Sequence, residues 1–119
     1  MANPNIVNVT SIYGKTAVQS VTTSATAIVE NTAASGIIIK INSLTVANID
    51  GINAADITVD VFRSSTSYKL ANTITVPADA SLVVISKDTS IYLEEGDALR
   101  LTASASGDLQ AVCSYEEIS

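Results

Sequence analysis

Apolar residues recur at every second position along most of this chain, and that spacing decides what it can fold into. In "ADITVDVFRS", Ile57, Val59 and Val61 share one parity while Thr58 and Asp60 share the other. Successive side chains of a strand point to opposite faces, so the run predicts a half-buried strand. "SGIIIKINSLTVANI" starts with Ile37, Ile39 and Ile41 in phase, then moves to the opposite parity with Leu44 and Val46. A bulge at Asn42–Ser43, or cover on both faces, accounts for the change. Ile74 and Val76 pair in "NTITVP", and Leu109, Ala111, Cys113 and Tyr115 alternate in the last run. "SLVVIS" is apolar on both faces. Toward the N-terminus, "NIVNVTSIY", "TAVQSVTT" and "ATAIVEN" predict three shorter strands rich in Val, Thr and Ile.

No window shows a 3.6-residue apolar stripe. Turn residues punctuate the runs instead, at Tyr13-Gly14, Ser35-Gly36, Asp50-Gly51, Pro77-Ala78-Asp79, Lys87-Asp88, Gly96-Asp97 and Gly107-Asp108. Many short strands separated by turns predict an all-β fold, an antiparallel β-sandwich. A jelly-roll-like winding is preferred. The alternative is an immunoglobulin-like sandwich, whose Cys…Trp…Cys hallmark is missing. Residues 1–119 read as a single domain, with residues 1–5 as a mobile N-terminal arm that Pro4 starts in extended form. With Trp absent and aromatics at 4%, the core has to be aliphatic. Ile39, Val59, Val61, Val84, Leu99 and Leu101 are its expected members, and Gly96 and Gly107 are expected to hold turns.

The net charge of −6, and basic residues that stand singly, argue against nucleic acid as a partner. No apolar run approaches the length of a membrane helix, and "MANPNIV" lacks the basic and apolar regions of a signal peptide, so a soluble product of a cytoplasm is expected. The "NVT" at Asn8 is a glycosylation tripeptide best explained by chance without a secretory signal. One cysteine allows no internal disulfide.

Catalysis finds little to stand on. Histidine is absent, which removes the usual base beside a nucleophile. Cys113 lies in a strand pattern and reads as a small core residue. Ser86 and Lys87 point to opposite faces of a strand, and Ser67 and Lys69 sit in no motif. No enzyme and no cofactor are expected. Calcium is the one metal with candidate ligands, Asp50, Asn53 and Asp56 in "DGINAAD", though their spacing is not that of an EF-hand. "LEEGD" places Glu94, Glu95 and Asp97 around Gly96, and reads as a hairpin turn whose carboxylates keep a strand end soluble. Together with Asn3, Pro4 and Asn5 of the arm, these three acids are the candidate partner contacts.

"NPNIVNVTSIYGKT", "ADITVDVFRS", "ITVPADASLVVISKDTSIYLEEGDALRLTAS" and the closing "SYEEIS" resemble small virion structural proteins of tailed marine bacteriophages, the cyanophage type in particular. The resemblance covers essentially the whole chain. It implies a virion component made in the host bacterial cytoplasm. The expected role is a capsid decoration or cement protein that binds the major capsid protein or another virion protein, as a homo-oligomer and above all a homotrimer. A neck, tail or fibre accessory is the alternative, as is a small module that binds glycans or a host surface. The resemblance brings no catalytic residues.

Overall fold

The computed structural model describes residues 4–119 as two antiparallel sheets packed face to face. The strands follow in the order β1 (Ile12–Ser20), β2 (Thr26–Glu30), β3 (Ile38–Asn48), β4 (Ala55–Arg63), β5 (Thr66–Val76), β6 (Ser81–Ile85), β7 (Ile91–Leu93), β8 (Ala98–Ala103) and β9 (Leu109–Ile118). One sheet runs β1-β9-β3-β6, with β7 also on β3, and the other runs β2-β8-β4-β5.

The pairing is that of one long hairpin rolled up on itself. Its tip joins β4 to β5, and behind the tip β3 pairs with β6 and β7, β2 with β8, and β1 with β9. Rolling then brings β9 against β3 and β8 against β4. The winding is jelly-roll-like. An immunoglobulin-like sandwich sets its first two strands side by side in one sheet, whereas β1 and β2 here lie in different sheets.

Ile39, Ile41, Leu44 and Val46 of β3 meet Ile57 and Val59 of β4 and Leu99 and Leu101 of β8 in the core. Each such side chain contributes roughly 1.5–3 kcal/mol by leaving water, which lets a purely aliphatic interior hold the sheets together. The parity change in β3 is a bulge, with Ile41 opposite Tyr115 and Ser43 opposite Ser114. Ile39, Val59, Leu99 and Leu101 are buried as expected, but Val61 and Val84 are only half-buried. Val84 falls in a second bulge, between Ile85 and Val83 of the edge strand β6. Val61 lies at the open margin beside β5, an edge strand of the second sheet.

The structure departs from the sequence reading at three places. Residues 5–11 form no strand, and "IY" and "TAVQS" belong to one strand, β1. The β4–β5 turn uses no glycine: Ser64 and Ser65 both take positive φ, 52° and 62°, the conformation of a type I′ hairpin. "LEEGD" is not a hairpin turn. Leu93 pairs within the first sheet and Ala98 within the second, so the segment is a corner that carries the chain across the sandwich.

Candidate functional site

Crossing between sheets turns one acid of the corner, Asp97, inward. Asp97 is buried, and its carboxylate accepts Nε of Arg63 at 2.7 Å and Nη2 at 2.5 Å, plus the Glu94 backbone N–H at 2.8 Å. Glu94 takes the same guanidinium at 2.9 Å. Glu95 accepts the N–H of Gly36 at 2.7 Å, from the β2–β3 loop. Burial works against the charge on Asp97, but the Arg63 hydrogen bonds, the Glu94 N–H and the Arg63 charge outweigh it, so the carboxyl sits below the ordinary range. These acids hold loops together, and Asp97 presents no surface to a partner.

A second carboxylate is buried from outside. Asp60 points away from the core, yet Arg100 covers it with Nε at 3.1 Å and Nη2 at 2.6 Å, the Ser67 hydroxyl donates to it, and Lys69 lies 3.8 Å away. Arg100 also stacks 3.9 Å over the ring of Phe62. Desolvation is again outweighed, by Arg100 and Ser67 above all, and the Asp60 carboxyl is lowered.

The calcium candidates are each engaged by their own loop or strand. Asp50 accepts the N–H groups of Ile52 and Asn53 at 2.8 and 3.1 Å, which lowers its carboxyl. Asn53 donates its side-chain amide back to Asp50 at 3.3 Å. Asp56 instead accepts the Thr75 hydroxyl at 2.8 Å across β4–β5. Among the described residues, no three His, Cys, Asp or Glu side chains are grouped to hold a metal ion.

Residues 4–11, ahead of β1, form no strand. Asn3 lies outside the described residues. Asn5 folds locally, its side chain accepting the Val7 N–H at 3.0 Å. Ile6 is 50% exposed and Val7 92%. The root of the arm is clasped to the other end of the chain: Thr10 and Ser11 donate N–H groups to the Ser119 carbonyl at 2.5 and 3.1 Å, and Ser119 donates back to Ser11 at 2.9 Å.

Where β5 and β7 leave the sandwich open, Val61, Arg63, Tyr68, Leu70, Ile91 and Tyr92 line a cleft of about 330 Å³. Tyr68 and Tyr92 are both exposed there. No helix among the described residues is long and apolar enough to cross a membrane.

No family model matches this chain, and no curated protein sequence matches it. Solved structures do. The chain is similar in fold to a protein of the Bacillus endospore appendages, which form a family of disulfide-linked pili. That likeness has a TM-score of 0.53 at 12% identity, over 92% of this chain and 87% of the other. A pentameric capsid protein from metagenomic phage sequences aligns at a TM-score of 0.42 and 18% identity, over 87% of this chain and 60% of its own.

Several organising residues are silent in the periodicity. Asn31 is buried and donates its amide to the carbonyls of Ile37 and Leu93, both at 3.0 Å, while accepting the Ser35 hydroxyl at 2.5 Å. Asn48, at the opposite end of the sandwich, donates to Asn53 and Val76 carbonyls at 3.0 and 2.9 Å and accepts the Asp50 N–H at 2.9 Å. Both asparagines close a strand run, in "IVEN" and "TVAN", and that position before a loop was the available signal.

Proposed function

We propose that this chain is a non-enzymatic structural subunit of a phage particle, a capsid decoration protein that docks on the major capsid protein or another virion protein as a closed homo-oligomer such as a trimer. The observation that carries the reading is the segment between the expected arm and β1: Ile6 and Val7 stand in water, and its root is fixed at Ser11–Ser119. A rigid all-β body with a tethered apolar strap suits attachment to a repeating surface, where identical weak contacts add up. Asp97 is spent inside the fold, and Glu94 and Glu95 are engaged by Arg63 and the Gly36 N–H, which leaves the N-terminal segment as the stronger of the two expected contacts. Cys113 is buried, so it supplies no disulfide between copies and assembly through it is non-covalent.

Co-sedimentation of the purified protein with undecorated phage heads, and separately with tails, tests this. Binding to heads that is lost on removing residues 1–9 is the expected result. Binding to tails alone moves the protein to a neck, tail or fibre role. No binding to either overturns the particle reading.

The Tyr68–Tyr92 cleft favours a second reading, a module for glycans or a host surface, because a sugar ring packs on exposed aromatics. Specific hits on a glycan array that vanish in Tyr68→Ala and Tyr92→Ala would establish it.

A further inference from the structure

The outer face of the β1-β9-β3-β6 sheet is unlike the rest of the molecule. Strand register lines up Val18, Val112, Thr45 and Val83 in one row across all four strands. Val18 is 74% exposed, Val83 59% and Val112 48%. One flanking row holds Ser20, Gln110, Ala47 and Ser81, and the other holds Thr16, Ser114 and Ser43 on the three strands that reach it. Charge returns one row further on, where Lys40 faces Glu116. Three successive rows are therefore uncharged on a molecule of net charge −6.

We propose that this face is the contact between two copies of the chain, related by a two-fold axis, with the valine row of one copy packed across that of the other. Two acidic molecules repel each other, and they do so least where neither carries carboxylates. A basic partner would be drawn to acidic surface, and this face has none to offer. A row of β-branched residues flanked by small hydroxyls is complementary to itself, as a two-fold contact requires, and sheets stack in this way about 10 Å apart. The three rows cover about 20 by 20 Å from strand and residue spacings. That is roughly half of the ~800 Å² per partner of a stable stand-alone interface. The contact is accordingly weak alone and effective when other contacts hold the copies close. It rests on the assembly reading above and adds a rule to it: the assembly contains an even number of chains, and a trimer using this face doubles to a hexamer.

Sedimentation velocity from about 10 µM to about 1 mM, a range chosen for weak association, tests it on the full chain. The wild type is expected to double in mass as concentration rises. Val112→Lys is expected to raise the dissociation constant of that step by about tenfold or more. The added lysine reduces the net charge, so general repulsion alone would change in the opposite sense. If Val112→Lys fails to fold, Val18→Lys combined with Val83→Lys, at the most exposed positions, gives the same readout. Doubling that survives these substitutions, or a trimer that never doubles, overturns the contact and leaves the homo-oligomer standing. A strict monomer overturns the contact and self-association together. If the face is protected from labelling only on phage heads, without doubling, it belongs to a different partner and the proposal fails.

Discussion

The guanidinium of Arg63, at the end of β4, grips the buried carboxylate of Asp97, at the start of β8, and takes Glu94 on the same nitrogen. It ties the corner that crosses between sheets to the tip of the β4–β5 hairpin. Removing one partner of a buried pair costs roughly 3–5 kcal/mol. Arg63 is itself about half exposed, so solvent screens part of this. Arg63→Met should therefore cost about 2 kcal/mol in urea unfolding at neutral pH. A midpoint equal to the wild type would show that the corner holds without the pair.

Acid should loosen the fold through Asp60 and Asp97. Both carboxyls lie below the ordinary range in the folded chain. The unfolded chain regains a value near 3.9 and binds protons that the folded chain refuses. Their stabilisation is full above about pH 5 and is lost as pH falls from there through the lowered folded values. Urea midpoints should stay level from neutral pH to about 5, then drop. The drop should be shallower in Asp60→Asn, and an identical slope there would clear Asp60 as a source.

Asn48→Ala strips partners from the carbonyls of Asn53 and Val76 and from the Asp50 N–H. Unsatisfied buried groups cost about 1–3 kcal/mol each, less where water enters. A loss of about 2–4 kcal/mol is expected by thermal or urea unfolding. Hydrogen exchange should speed up first at this end of the sandwich. Uniform exchange through the whole chain would contradict a local clamp.

Two glycines should respond with opposite signs. Gly96 has φ of +90°, where a side chain is strained although space is open. Gly96→Ala should cost about 1–2 kcal/mol. Gly14 sits in β1 with ordinary φ and open space around a new Cβ. Gly14→Ala should be neutral, or stabilise by up to about 1 kcal/mol, by restricting the unfolded chain. Equal effects at the two sites would refute the backbone argument.

Cys113 should be inert in the native protein. It is fully buried, and desolvation pushes its thiol up to about 11. Maleimide labelling followed by mass should proceed at the rate of unfolding. Fast labelling without denaturant would place the thiol at the surface.

Much of the sandwich was legible in the alternation, because one-sided burial writes period two directly into a strand. Ile57 and Val59, Leu99 and Leu101, and the parity change at Asn42–Ser43 all carried that mark. The margins carried less. On β5 and β6, edge position and bulges leave Ile74 exposed and Val84 half-buried despite apolar spacing. The corner at 94–97 looked like a solvated turn because its partner, Arg63, is remote in sequence and stands as a lone base. Asp60 read as a solvent-facing position for a similar reason: the Arg100 that covers it lies on another strand. The cleft that Tyr68 and Tyr92 both line, and the uncharged face, need strand order and register, which local pattern does not contain.

The rolled hairpin has a consequence for how the chain is made. β8 fills the place between β2 and β4, and β9 the place between β1 and β3. Until those last strands emerge from a ribosome, each sheet is two fragments with a gap, and β3 and β4 offer bare backbone edges to anything that pairs. Folding of this sandwich is thus committed only once β8 and β9 are made, through contacts distant in sequence and so slow to form. A chain stopped before Leu109 would lack the strand that joins one sheet, and its loose edges would aggregate rather than assemble.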